Sequence, residues 1–162
     1  MKTILRRVAV AVAVVATVGL IGAPAASAGN GHGGGGGRTI LRAELAGSLT
    51  TDPVLFQTVA PGGADWVSGT SEARLRRDGR LEVRVKDLVL TSTGANPVTQ
   101  LSASVACNGT VVATTPVVAF SPTGDAELRA TVVLPQRCIA PVVLLNPRGN
   151  AAVYIGVTGT EG

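Results

Sequence analysis

From Thr39 onward the chain is a succession of short runs in which apolar and polar residues alternate, each soon cut off by glycine, proline, asparagine or aspartate. Leu41, Ala43, Leu45 and Leu49 alternate with Arg42, Glu44 and Ser48, the period of two that gives a strand one dry face. Asp52-Pro53 and Pro61-Gly62-Gly63 bracket a short apolar piece, Val54 to Val59. Further runs cover Trp66 to Arg77, Arg80 to Thr91, Val98 to Cys107, Val111 to Phe120, Ala126 to Leu134, Val142 to Leu145 and Ala151 to Thr158. No stretch of adequate length carries the 3.6-residue period of a helix. The spacing predicts an all-β fold, a β-sandwich or barrel, and of the two an antiparallel β-sandwich of about 7–9 short strands is expected.

One hairpin can be registered from its own residues. A two-residue turn at Asp78-Gly79 would set Leu75 against Glu82 and mix the faces. A three-residue loop, Arg77-Asp78-Gly79, instead pairs Leu75 with Leu81, Ala73 with Val83 and Ser71 with Val85, and Gly79 supplies the left-handed residue of a G1 bulge. The same register places Arg74 opposite Glu82 and Glu72 opposite Arg84, complementary pairs across the strands. Arg76, Arg77 and Arg80 remain at the tip, partly offset by Asp78. A solvated tip is the plain reading, and contact with a partner is the functional one. Asn108-Gly109 marks a second hairpin, with Val111 onward as the return strand. Asn108-Gly109-Thr110 also fits a glycosylation acceptor, but the tight turn explains it as well.

The N-terminal segment is of another kind. Lys2, Arg6 and Arg7 precede an apolar run from Val8 to Ile21, and Ala26-Ser27-Ala28 follows. A basic start, an apolar stretch and an A-x-A site are the parts of a secretory signal peptide. The run is shorter than the ~20 residues that span a bilayer. Residues 1–28 are therefore expected to be a cleaved signal, residues 29–38 a glycine-rich flexible linker, and residues 39–162 the β-domain. Cleavage after Gly29 instead of Ala28 would put His32, the only histidine, third from the new terminus, a position that can wrap Cu(II) or Ni(II). The better cleavage site puts it fourth, and the linker reading stands.

Removal of residues 1–28 changes the charge argument. Three of the 14 basic residues lie in the signal, leaving 11 against 10 acidic residues in the 134 that remain, a net of +1. The total gives little support to a nucleic-acid partner or to an anionic membrane. Cys107 and Cys138 are the only cysteines. A pair bound for an oxidising compartment is most simply one disulfide, and a spacing of 31 is not that of a C-x-x-C redox motif.

The residues argue against catalysis. A single histidine in a linker leaves a serine or cysteine nucleophile without a base, and the His/Cys zinc sets cannot be assembled. Phosphate-cradling glycine motifs are missing. Asp52, Asp65, Glu72, Asp87, Asp125 and Glu127 could supply carboxylate pairs, but their spacing forms no motif. Only Phe56, Trp66, Phe120 and Tyr154 are aromatic, which counts against sugar platforms and base stacking. No catalytic residue, metal or cofactor is implied. Two further spots could bind something. Trp66, at the end of a flexible Pro61-Gly62-Gly63 loop, is either a partner anchor or a core residue. Asp125 and Glu127 could help hold Ca²⁺, although two carboxylates are few for that ion.

Leu45-Ala46-Gly47-Ser48-Leu49, the Asp52-Pro53 and Pro61-Gly62-Gly63 loop into Trp66, Asp78-Gly79-Arg80-Leu81, Asn96-Pro97-Val98, Ala106-Cys107-Asn108-Gly109, Leu134-Pro135 before Cys138, and Tyr154-Ile155 together resemble small secreted proteins of unknown function from high-GC Gram-positive bacteria. The resemblance spans roughly Ile40 to Gly159 and implies no activity. Leu41 to Leu90 is also faintly similar to the chordin-like domain, whose histidine-containing segment this chain lacks. The reading that results is a secreted, non-catalytic interaction or structural module whose partner is an extracellular protein or a cell-wall component, with no membrane role after cleavage. The alternative is a secreted small-ligand or Ca²⁺-binding protein.

Overall fold

A computed structural model describes residues 37–159; the expected signal, His32 and most of the expected glycine-rich linker lie outside the described residues. The alternating runs form strands β1 (Thr39–Gly47), β2 (Ala60–Pro61), β3 (Trp66–Val67), β4 (Glu72–Arg76), β5 (Arg80–Val85), β6 (Val89–Leu90), β7 (Gln100–Cys107), β8 (Thr110–Thr114), β9 (Val118–Ala119), β10 (Ala126–Thr131), β11 (Val142–Pro147), β12 (Val153–Tyr154) and β13 (Gly156–Thr158). These thirteen exceed the expected 7–9 because several runs break in the middle. Arg80 to Thr91 breaks at Asp87, which holds a left-handed backbone (φ 51°), and Val111 to Phe120 breaks around Pro116. Proline has no N–H to give to a ladder.

Nine strands join one sheet in the order β10-β5-β4-β1-β13-β11-β7-β8, with β9 added to β7. Every pairing in it is antiparallel. The join between its halves is β1. Its first residues pair with β4 and its last, Leu45 to Gly47, pair with β13. Hydrogen bonding thus runs through one curled antiparallel sheet of nine strands. The curl brings edge strand β10 beside β9. Two short pairs lie apart, β3 with β6 antiparallel and β12 with β2 parallel.

The core follows from the alternation. Ala73 and Leu75 of β4, Leu81, Val83 and Val85 of β5 and Leu128 of β10 face Leu101, Ala103 and Val105 of β7 and Val143 and Leu145 of β11. Outward positions on β5 are exposed. β7 departs from that pattern, since every residue from Leu101 to Cys107 is buried. Its second face is covered by a satellite core in which Val59 and Tyr154 pack on Leu144, with Leu55 and Phe56 around them. The Tyr154 hydroxyl donates to the Pro53 carbonyl at 3.0 Å and ties that cover down. Under it Ser104 donates to Asn146 Oδ1 at 2.7 Å, and the Asn146 amide donates to the Val153 carbonyl at 2.8 Å.

Candidate functional site at the arginine end

The hairpin between β4 and β5 has the expected register, with Leu75 on Leu81, Ala73 on Val83, Arg74 on Glu82 and Glu72 on Arg84. Gly79 takes φ 86°, and a Cβ there would collide with the Val132 carbonyl. The ion pairs are made to the flanking strands. Arg42 of β1 stands 2.9 Å from Glu72, and Glu127 of β10 receives Arg129 at 2.6 Å and Arg84 at 3.7 Å.

At the tip the hairpin is fastened on two sides. Asp78 accepts the Gly37 amide at 2.9 Å and the Arg80 amide at 3.3 Å, and the Arg80 guanidinium is 3.2 Å away. The Arg77 amide donates to the Arg38 carbonyl at 2.8 Å, while its side chain donates to the Gln136 carbonyl at 2.9 Å. Val132 donates to the Gly79 carbonyl at 2.9 Å. The segment 132–141 is therefore strapped to the tip, and the expected disulfide, Cys107–Cys138, fastens it to the end of β7.

Asn108 completes the fastening. With Gly109 it forms the β7–β8 turn, both residues at positive φ (56° and 75°), as the tight Asn-Gly hairpin requires. Its amide donates to the Arg137 carbonyl at 2.9 Å, and its oxygen accepts the Ile139 N–H at 2.9 Å. The side-chain nitrogen to which a glycan would be joined is thus engaged by the disulfide loop.

This construction gathers Arg38, Arg76, Arg77, Arg80 and Arg137 at one end of the domain. Asp78 is the acid among them, and Arg80 pairs with it. Among the described residues no carboxylate lies within ion-pairing distance of Arg38, Arg76, Arg77 or Arg137. The strands run lengthwise from here to an end carrying Asp52, Asp65, Asp87 and Asp125 with Lys86 and Arg148. Sequence inspection finds the tip arginines Arg76, Arg77 and Arg80 because they are neighbours. It misses Arg38 and Arg137, which only the fold brings beside them.

The other candidates are placed differently. Trp66 is 6% exposed and belongs to the main core. Its approach loop is pinned where a flexible one was expected, with Gly62 donating to the Tyr154 carbonyl and Trp66 to the Ser48 carbonyl, both at 2.8 Å. Beside Trp66 a groove of about 990 Å³ runs past Leu49, Asp52 and Val67. Asp125 is held by Thr123 at 2.8 Å and Lys86 at 3.3 Å, and Glu127 by Arg129 and Arg84. Both carboxylates of the Ca²⁺ reading are therefore spent on protein cations. Among the described residues no three His, Cys, Asp or Glu side chains gather as a metal-holding group.

Several carboxyls are held below their ordinary range by what they accept: Asp65 by the Thr50 amide and hydroxyl, Asp78 chiefly by the Gly37 amide, and Asp125 chiefly by the Thr123 hydroxyl. Lowered pKa values in the folded state stabilise it above the ordinary 3.8 and cease to do so as pH falls below it. Burial, and secondarily Asp52, pushes the Tyr154 phenol above its ordinary 10.0, so a second loss sets in as pH rises past 10.0. Melting temperature followed by circular dichroism is expected to be level between these limits and to fall outside them.

Fold and site together define a disulfide-pinned all-β domain with a polarised charge distribution. No family model matches the chain, and neither a curated protein nor a solved structure is detectably similar to it. Among the described residues no helix is long and apolar enough to cross a membrane. The disulfide is compatible with an extracellular location.

Proposed function

We propose that the protein is an exported, non-catalytic interaction module that acts at or outside the cell surface, and that its contact surface is the arginine end. The observation that carries this reading is the set of four guanidinium groups without an ion-paired acid on a surface whose loops are fastened from three sides. Surface charges of one sign left unneutralised raise the local concentration of an oppositely charged partner and speed its association. Rigid loops spare that partner the cost of ordering them. The signal-like pattern of residues 1–28 and the disulfide support an extracytoplasmic setting.

The test is retention of material from the producer's medium and cell-wall fraction by the oxidised, secreted protein immobilised on a resin. Retention is expected to weaken with salt and to disappear in the double variant Arg38→Gln/Arg137→Gln, while Arg148→Gln at the far end retains as wild type. Turnover of a substrate, or retention indifferent to the double variant, would overturn the reading.

The groove beside Trp66 favours a second reading, a small-ligand binder. Its apolar wall and the nearby Asp52 carboxylate suit a small amphipathic molecule. A thermal-shift screen tests it, the expected signal being a rise in melting temperature abolished by filling the groove with Val67→Trp. EDTA is expected to leave the melting temperature unchanged, since the Asp125 and Glu127 carboxylates are paired with protein cations; a fall would favour the Ca²⁺ reading.

A further inference from the structure

We infer that the arginine end docks on a membrane surface that carries anionic phosphodiester headgroups, with Val133 and Ile139 entering the interface and the arginines pairing with the headgroups. The inference rests on the reading of this end as the contact surface and names its partner. Val133 is 88% and Ile139 60% exposed, the two highest values among the exposed large hydrophobic residues described. Both stand on the segment 132–141, which also carries Arg137 and the carbonyl that holds Arg77. A soluble polyanion gives such aliphatic side chains nothing to bury into. A bilayer interface takes both the apolar groups and the cations.

Three further features fit. Among the described residues all five cations at this end are arginines, whose forked, weakly hydrated guanidinium matches phosphodiester oxygens in pairs. The only described lysine, Lys86, sits at the other end, bonded to Asp125. The aspartates of that far end are repelled by an anionic surface, so the field orients the domain end-on. Val133 and Ile139 are also held in place, Val132 by Gly79 and Ile139 by Asn108 and the adjacent disulfide. The sequence total of +1 had argued against a membrane; segregation of the charges removes that argument, because a surface senses the end that faces it.

The experiment is flotation of the protein, collected from the medium of a secreting host, with vesicles of phosphatidylglycerol and phosphatidylcholine in equal parts. It is expected to float with these vesicles, to ignore pure phosphatidylcholine, and to be released by about 1 M NaCl. Each arginine removed costs about fivefold in partitioning, so Arg38→Gln/Arg137→Gln lowers it about 25-fold. Val133→Asp also lowers it, Arg148→Gln does not, and all variants keep the wild-type melting temperature because the changed side chains are on the surface. No flotation with the phosphatidylglycerol vesicles, or flotation that survives both Val133→Asp and the double variant, overturns the proposal. Arginine-dependent retention of soluble poly(glycerol phosphate) without flotation also overturns it, yet leaves the arginine end as the contact surface. Failure of vesicles, polymer and the wall-fraction retention alike removes both readings.

Discussion

Replacement of Cys107 and Cys138 together by alanine is expected to lower stability by ~3.7 kcal/mol, the chain-entropy value for closing a loop across a separation of 31 residues. For a domain of this size that is a fall of roughly 10–15 °C in melting temperature. The loss has a functional side, because the bridge fastens the segment bearing Val133, Arg137 and Ile139. Vesicle binding should fall even at a temperature where the reduced domain is still folded. Urea unfolding of oxidised and reduced protein measures the first effect, and flotation well below the melting temperature measures the second. A stability loss below about 1 kcal/mol would mean that the strap is held by Asn108 and Arg77 without the bridge.

Trp66→Ala is expected to cost ~3–5 kcal/mol, the range for deleting a large aromatic side chain from a core. The indole is buried among residues of both sheet halves. Circular dichroism must report the unfolding, since the change removes the only tryptophan. Binding at the arginine end should persist in whatever fraction stays folded. A small loss of stability together with abolished binding would return Trp66 to the role of partner contact.

How far the molecule could be read from its residues depended on how local each signal was. The β4–β5 hairpin was legible in its register from Glu72–Arg84 to Leu75–Leu81, because face consistency and the single glycine that tolerates the third loop position exclude the other alignment; the further pairing of Ser71 with Val85 is not made, since β4 begins at Glu72. The disulfide was legible from the count of two cysteines. The satellite core was not. Leu55 to Val59 reads as one more apolar strand, yet apart from the Leu55–Val59 bridge it is a looped cover over β7 and β11. That role depends on Tyr154 arriving from a hundred residues away. Alternation also misleads at β7, where Ser102 and Ser104 look like an exposed face and are fully buried. The arginine end shows the same limit on the functional side. Arg76, Arg77 and Arg80 announce themselves, whereas Arg38 and Arg137 join them only through the Arg38 carbonyl and the Asn108 clamp. Net charge, a sum over positions, carries no information about which end a charge occupies.

The crossing of β1 between the two halves bears on when this chain can fold. Leu45 pairs with Thr158, more than a hundred residues later, so the sheet cannot be joined until β13 has been made. Contacts of such sequence separation form slowly. A chain with this topology stays an unfinished thread while the hundred or so residues between β1 and β13 are added. The same strand then seals the domain once β13 has arrived beside it.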